Sequence, residues 1–365
     1  MKKQRRFIVL GGAGTIGKFV ARDLFESHPD NQIVIADYKK EAAQSLTRSF
    51  KDPRVRAKFA DARDLEKLTS LLKNQSVVIN CLQHNFNLMV MEAALLAGVH
   101  YVDLGGLFTW TRKQLRLNKK FRDAGLTAII GGGCAPGITN VLAAYAASKL
   151  DKINEISIRV GSKNFNPPNT AELWFPYSAQ TIIEELTLRP WIWTAGKFRQ
   201  IAPRTGWQLT QFPKPVGKIW TVYTRHSEIA TLPLNFKDKG LRHCTFGVSF
   251  SPLFVEKILK CLEAGWTLQQ FNKFGTPAEN PNDYEVSRVK VDDLIIDCHA
   301  QAKPEWQASA GDIDTACPIS IIAQMIANGV INRLGVSPPE LAVPAEPFFS
   351  ELEKRGMKIK INHQA

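Results

Sequence analysis

The chain has 365 residues, 44% of them hydrophobic and 22% charged, with a formal net charge of +13. That length suffices for two domains with ordinary cores, and that balance excludes a disordered chain. Its apolar runs all fall short of the ~20 residues a membrane span needs, so no membrane partner is expected.

The basic start MKKQRRF leads into only FIVL before glycines begin, too short for a signal-peptide core, and a cytoplasmic location is expected. Basic residues are scattered without any nucleic-acid-binding pattern. No nucleic-acid partner is expected, and the excess reads as a surface that attracts anionic cofactors and carboxylates. The six cysteines show neither C-x-x-C pairs nor ligand-like spacing with histidine, so they read as reduced thiols and no metal is expected.

Phe7–Leu10 reads as a strand running directly into Gly12, Gly14 and Gly17 in G-x-G-x-x-G spacing, followed by a helix that buries Ile16, Val20 and Leu24. Such a loop holds a pyrophosphate. Gly12 allows the tight turn, Gly14 lets the backbone approach the phosphates, and Gly17 lets the helix pack on the strand. Around Thr15 and Ile16 the helix start aims unpaired N–H groups at the negative charge. A second apolar run, Gln32–Ala36, ends in Asp37, where a carboxylate can accept both ribose hydroxyls of an adenosine. Asp37 favours NAD because it repels a 2′-phosphate, while Lys39 and Lys40 keep NADP open.

Further strands are expected at Val55–Phe59, Val77–Asn80, Tyr101–Leu104 and Thr127–Gly131, with helices Leu88–Ala97 and Thr111–Ala124 stopped by Gly98 and Gly125. This alternation predicts an α/β fold whose first domain is a doubly wound, Rossmann-type dinucleotide-binding sheet. Ligands of that fold lie beyond the carboxyl ends of the strands. Asp61 can reach the adenine there, or cap the helix that begins near Asp64. Asn80 can meet the nicotinamide ribose, Gln83, His84 and Asn85 follow it, and Asp103 closes the fifth strand before Gly105 and Gly106. In GGGCAPGITN, Thr139 or Asn140 can cap a helix whose N-terminus suits a substrate carboxylate.

After Leu150 longer strand-like stretches appear, at Glu155–Gly161, Ile192–Gln200, Ile219–Arg225, Arg242–Ser249 and Tyr284–Asp297, with helices Ala179–Leu188 and Phe254–Ala264. They predict an α+β domain with a mixed sheet, and NFNPPNT at 164–170 is a loop. Trp174, Trp191, Trp193 and Trp220 can line a wall for a methylene chain, or serve as core or interface. From Ile319 to Ile331 an apolar helix returns, best placed on the first sheet. The expected domains are therefore residues 1–139 with about 313–350, and 140–312 inserted between them.

Together GGAGTIGKFVARDL, VVINCLQHNFN, AGVHYVDLGG, GCAPGITNVLAAYAASKLD, TRHSEIATLP and the tail from Ile319 make the chain similar to the saccharopine dehydrogenase-like family, nearest its lysine 6-dehydrogenase branch. The resemblance implies a dinucleotide domain interrupted by a substrate-binding and dimerisation domain, a homodimer, and an NAD(P)-dependent dehydrogenase. Hydride transfer at a C–N bond of an amino acid is the implied chemistry.

Such a reaction needs a base for an ammonium substrate or for a water that attacks the imine. His84, Asp103, His226 and Glu228 are the candidates. In TRHSE, an extended backbone puts His226 and Glu228 on one face, although a hydrogen-bonded surface histidine fits the residues as well. Asp103 can orient the ammonium or simply cap its own turn. Arg225 can pair with a substrate carboxylate or lie on the surface. A different class of reading keeps the nucleotide and drops the catalysis, giving an NAD(H)-binding redox sensor or scaffold.

Overall fold

Short β-branched runs bounded by glycine and polar residues form the strands of the N-terminal part, as their length and period require. In the computed structural model, which describes residues 5–166, 175, 177–274 and 280–363, these are β1 (Arg6–Leu10), β2 (Gln32–Asp37), β3 (Val55–Phe59), β4 (Val77–Asn80), β5 (His100–Asp103) and β6 (Thr127–Ile129). Helices α1 (Gly17–Ser27), α2 (Lys40–Phe50), α3 (Leu65–Leu72), α4 (Asn87–Ala97), α5 (Leu107–Leu115) and α6 (Asn118–Asp123) alternate with them. The single helix expected over 111–124 is thus two, α5 starting earlier than expected and α6 following a break at Arg116 and Leu117. After β6 comes α7 (Ile138–Ser148).

The middle of the chain forms β7 (Glu155–Asn164), α8 (Ala179–Thr187), β8 (Trp191–Thr194), β9 (Lys197–Gln200), β10 (Gln208–Gln211), β11 (Lys218–Tyr223), α9 (Glu228–Phe236), β12 (His243–Ser249), α10 (Pro252–Glu263) and α11 (Leu268–Phe274). It continues with β13 (Asp283–Val291) and β14 (Leu294–Gln301), and the chain ends with α12 (Ala310–Asn328), β15 (Gly335–Ser337), α13 (Pro339–Ala342), α14 (Ala345–Lys354) and β16 (Lys358–His363). Trp174 and residues 167–170 of the expected loop lie outside the described residues.

Two compact units result, residues 1–144 with 314–355 and residues 145–313 with 356–365. The first holds a seven-stranded sheet in the order β15-β6-β5-β4-β1-β2-β3. Every pair in it is parallel, and strand order reverses beside β1, which is where this fold takes its ligands. Its core joins Ile8, Leu10, Val78, Tyr101, Phe121 and Val336. In the unit's share of α12, Ile322 stands against Gly132, where a side chain would meet it at 3.1 Å.

The second unit holds a mixed sheet in the order β10-β11-β12-β7-β13-β14-β16, with β8 and β9 attached to β12. Only β7 and β12 run parallel. Ile182 and Leu186 of α8, Val255 and Ile258 of α10, and Phe271 of α11 share one core with Val222 of β11. Elsewhere on this sheet Phe212 fills the space that Gly161 leaves, where a side chain would meet the ring at 2.6 Å.

Two expected strands prove to be hairpins. Residues 192–200 turn at Ala195 and Gly196, both with positive φ (49° and 74°), and residues 284–297 turn at Asp292, φ 50°. The chain's last strand, β16, pairs antiparallel with β14 in the second unit.

One ion pair ties the end of the first unit to its beginning. Arg355 donates to both oxygens of Asp23 in α1 at 2.6 and 3.0 Å, with side chains only 10% and 4% exposed. Arg355→Ala leaves that carboxylate buried and unpaired, so we expect a loss of about 3 kcal/mol in urea unfolding. Lys119→Ala, which breaks an exposed pair with Asp123, should cost under about 1 kcal/mol in the same assay.

Candidate functional site

In the first unit the glycine loop closes on itself. Gly14 N–H donates to Gly11 O at 2.9 Å, and Gly12 N–H donates to Ala36 O at 3.2 Å, fixing the loop to β2. A side chain on Gly17 would come within 2.2 Å of Gly11 O, so this glycine sets the approach of α1 to the turn. The left-handed position that only glycine takes easily is Gly11, φ 67°, and not Gly12, to which the spacing assigns the turn. Thr15 and Ile16 stand at the start of α1, which has no side-chain cap and no acidic residue in its first turn. Such an end receives an anion.

Asp37 sits at the carboxyl end of β2. Its Oδ2 accepts from Ala13 N–H at 3.0 Å and its Oδ1 from Lys39 N–H at 2.9 Å, so the carboxylate also holds the glycine loop in place. It lines a cavity of about 310 Å³ together with Leu10, Tyr38, Asp61, Arg63 and Phe86. Asp61 does not cap α3; Asp64 does, accepting from Lys67 N–H at 3.0 Å. Instead Asp61 takes the Arg63 guanidinium in a fork at 2.9 and 2.7 Å, and these hydrogen bonds hold its pKa down at about 2. Arg63 in turn lies 5.3 Å from the centre of the Tyr38 ring, and Tyr38, 61% exposed, packs on Phe59. Exposed aromatic rings under a guanidinium, beside an aspartate, form a surface on which a planar base can stack.

Asn80 and Asp103 both take part in an internal network, and of the two roles open to Asp103 the structure shows the cap on its own turn, where Gly105 N–H donates to it at 2.9 Å. Asn80 Nδ2 donates to Asn87 Oδ1 and to the Tyr101 hydroxyl, while Oδ1 accepts from Leu82 N–H. Asp103 is 1% exposed and accepts four hydrogen bonds, from the Tyr101 hydroxyl, the Gln114 amide and the N–H groups of Gly105 and Gly131. Burial pushes its pKa up and the four donors oppose the rise. A carboxylate bound in this way fixes the loops after β5 and β6.

Thr139 and Asn140 are also buried, at 0% and 1% exposure. Asn140 is the third residue of α7 and caps its start from within, its Oδ1 accepting from Gly137 N–H at 3.0 Å, one of the two capping choices the sequence offers, while its Nδ2 donates to Glu340. His84 lies in the turn after β4, 5.8 Å from the Trp110 ring. In the second unit Arg225 donates from Nε to Arg189 O and, with the Gln200 amide turned to accept, from Nη2 to that side chain. It ties the β8–β9 hairpin and is not held open for a substrate carboxylate.

The second unit does bring His226 and Glu228 together. His226 Nδ1 meets Glu228 Oε2 in a very short hydrogen bond, its Nε2 lies 3.7 Å from Glu185 Oε1, and its ring stacks on Phe246 at 3.8 Å. Glu185 Oε2 accepts from the Tyr177 hydroxyl at 2.5 Å. The three central residues are 6%, 0% and 2% exposed for His226, Glu228 and Glu185. Burial alone would lower the imidazole's pKa, but Glu228 and then Glu185 outweigh it and the net direction is up. Burial pushes Glu185 up to about 7, against the pull of His226 and Tyr177.

Sequence reasoning does not single out Glu185, Tyr177 or Arg63. The signal for Glu185 is its place beside Leu186, one turn from Ile182, on the apolar stripe of α8, where a carboxylate needs a reason to be.

Residues 7–129 match the saccharopine dehydrogenase NADP binding domain, and residues 133–357 match the saccharopine dehydrogenase C-terminal domain. Among characterised relatives, carboxyaminopropylagmatine dehydrogenase of Synechocystis is 25% identical over 278 residues, covering 70% of this chain and 65% of that protein. Carboxynorspermidine synthase of Vibrio cholerae is 27% identical over 252 residues, 60% of this chain and 58% of that one. The matched part thus spans less than two thirds of either relative. Two solved structures share the fold at a TM-score of 0.73: saccharopine dehydrogenase (L-Glu forming) of Saccharomyces cerevisiae, 15% identical over 98% of this chain and 100% of that one, and homospermidine synthase of Legionella pneumophila in complex with NAD, 16% identical over 99% and 92%.

Asp37 faces the cavity and braces the loop, so its loss should act on cofactor choice more than on folding. Asp37→Ser should weaken NADH binding by about tenfold or more, the worth of one or two hydrogen bonds to a charged group, while NADPH binding changes less. Fluorescence titration with both nucleotides measures it, and equal losses would remove Asp37 from the ribose position.

Proposed function

The chain belongs to the saccharopine dehydrogenase family, and from that premise we propose an NAD(P)-dependent oxidoreductase that acts at the C–N bond of an aliphatic amine or of its carboxyl-bearing imine adduct. The observation that carries the reading is the buried Tyr177–Glu185–His226–Glu228 group. It is built to hold an amine nitrogen and to move its proton. The names of the relatives, with carboxylated polyamines in two of them, favour an amine of the polyamine kind over lysine.

When bound, a dinucleotide would exchange hydride with a carbon that bears nitrogen. For hydride to leave, the nitrogen lone pair must be free, so an ammonium substrate has to give up a proton first. Glu185, with its pKa near 7, accepts a proton readily at neutral pH. His226, whose pKa Glu228 and then Glu185 raise against the effect of burial, is the partner that steadies Glu185 once ionised. Run the other way, the same groups deliver a proton to the nitrogen as the imine is reduced. For the cofactor we favour NAD, because Asp37 stands where a 2′-phosphate would be repelled, although Arg63 offers a cation on the same cavity.

A panel tests the reading: NADH and NADPH oxidation with aliphatic diamines plus short oxo acids, and NAD reduction with lysine and saccharopine. We expect turnover with at least one pair, and His226→Asn should lower kcat by about a hundredfold or more with nucleotide affinity unchanged. Tight nucleotide binding without turnover anywhere in the panel would favour the sensor reading instead.

A further inference from the structure

We propose that the buried group in the second unit is an exchange site, which takes the ammonium end of an aliphatic amine and releases the proton of Glu185 to solvent as it does so. The inference rests on the reading of that group as the amine-binding element, and adds how its charge is balanced with and without the amine.

His226 lies between two carboxylates, Glu228 on Nδ1 and Glu185 opposite Nε2. One imidazolium neutralises one carboxylate. The groups that act on Glu185 from other positions do not supply a second cation: Glu228 on α9 and Glu184 beside it on α8 both raise its pKa, and Tyr177 is neutral. From β13, Glu285 adds further negative charge at Tyr177, while Arg225 interacts with Glu184. An unpaired carboxylate at 2% exposure costs several kcal/mol, so the empty group keeps a proton on Glu185. An arriving ammonium provides the missing cation, and the proton is no longer needed.

A separate observation points to a ligand with donors to spare. The hydroxyls of Thr224 and Thr231 are buried, at 1% and 3% exposure, and their Oγ1 atoms have no hydrogen-bond partner among the described residues. Thr231 follows Glu228 by three positions on α9, which puts both on the same face of the helix. Native structures seldom leave such atoms unsatisfied without a water or a ligand to fill the place. A primary ammonium carries three N–H donors, enough for two carboxylates and one hydroxyl. Ile182 and Leu186 flank Glu185 on α8 and belong to the unit's apolar core, which suits a methylene chain behind the nitrogen.

The proton balance is simple. Below pH 7 Glu185 is mostly protonated, so each ammonium bound displaces nearly one proton and affinity falls by up to about tenfold per pH unit of acidification. Well above pH 7 the carboxylate is already ionised and binding releases none. Alkylammonium groups titrate near 10 and stay charged throughout this range.

Isothermal titration calorimetry of the full chain with diaminobutane, in phosphate and in the sulfonate buffer ACES at about pH 6, 7 and 8, reads the proton directly through the difference between buffer heats. We expect close to one proton released at the lowest pH, about half at the middle and little at the highest. Glu185→Gln should abolish the release and flatten the pH dependence, and Thr231→Val should weaken binding while leaving the proton count unchanged. Binding with no proton release in the wild type overturns the exchange and leaves the amine reading standing. Release that persists in Glu185→Gln overturns Glu185 as its source, and a wild type that binds no amine at any pH overturns the amine reading itself.

Discussion

A carboxylate taken out of water must find a counter-charge, a full set of donors or a proton, and this chain buries carboxylates in all three ways. Asp23 is matched by the Arg355 guanidinium, and the pair closes the first unit by joining its last helical turn to α1. Asp103 has no cation near it in its network and is held by four neutral donors, two of them backbone N–H groups of the loops it fixes. Glu185 has neither solution in full. It shares one imidazole with Glu228 and one hydroxyl with Tyr177, and its pKa rises accordingly. The first arrangement pairs charge with charge, the second gives a carboxylate a full set of donors, and the third does neither in full, which is the observation on which the proposed amine site rests.

The same criterion explains which site residues were legible in the sequence. The glycine loop and Asp37 could be read because backbone geometry and charge at the end of β2 are local properties. His226 and Glu228 could be named from their closeness in TRHSE, but they meet by a route other than the expected extended backbone, because Ser227 is helical and Glu228 opens α9. Asn80, Asp103, Thr139 and Asn140 stand at strand and helix ends as expected, yet some of their partners lie beyond the local segment, Gln114 eleven residues after Asp103 and Glu340 two hundred after Asn140. Whether a polar residue faces a ligand or its own fold depends on those distant partners, which no local pattern reveals. Glu185 was hidden for the opposite reason, since a glutamate in a helix ordinarily faces solvent.

For the fold, the parallel sheet was legible because each buried strand is a short apolar run closed by a helix with a glycine stop. The second sheet was less so. Its hairpins turn at Ala195–Gly196 and at Asp292, tight turns inside otherwise strand-like runs, and so two pairs of antiparallel strands read as two long ones. The edge strand β16, KIKINH, carries alternate lysines and little apolar signal, as an edge strand should if it is not to recruit another chain.

The two halves of the proposed chemistry differ in how much each leaves to its ligand. In the first unit the loop, β2 and α1 are tied together before any nucleotide arrives: Asp37 grips Ala13, Gly12 grips Ala36, and Arg63 is forked onto Asp61. Binding there costs little reorganisation, which is how a site holds a cofactor common to many enzymes. In the second unit the charges balance only with a proton or a cation present, and two hydroxyls have no partner among the described residues. On the proposed reading an ammonium can replace that proton as the counter-charge, whereas a neutral ligand must leave the proton in place, and a preference for a charged nitrogen would follow from that difference.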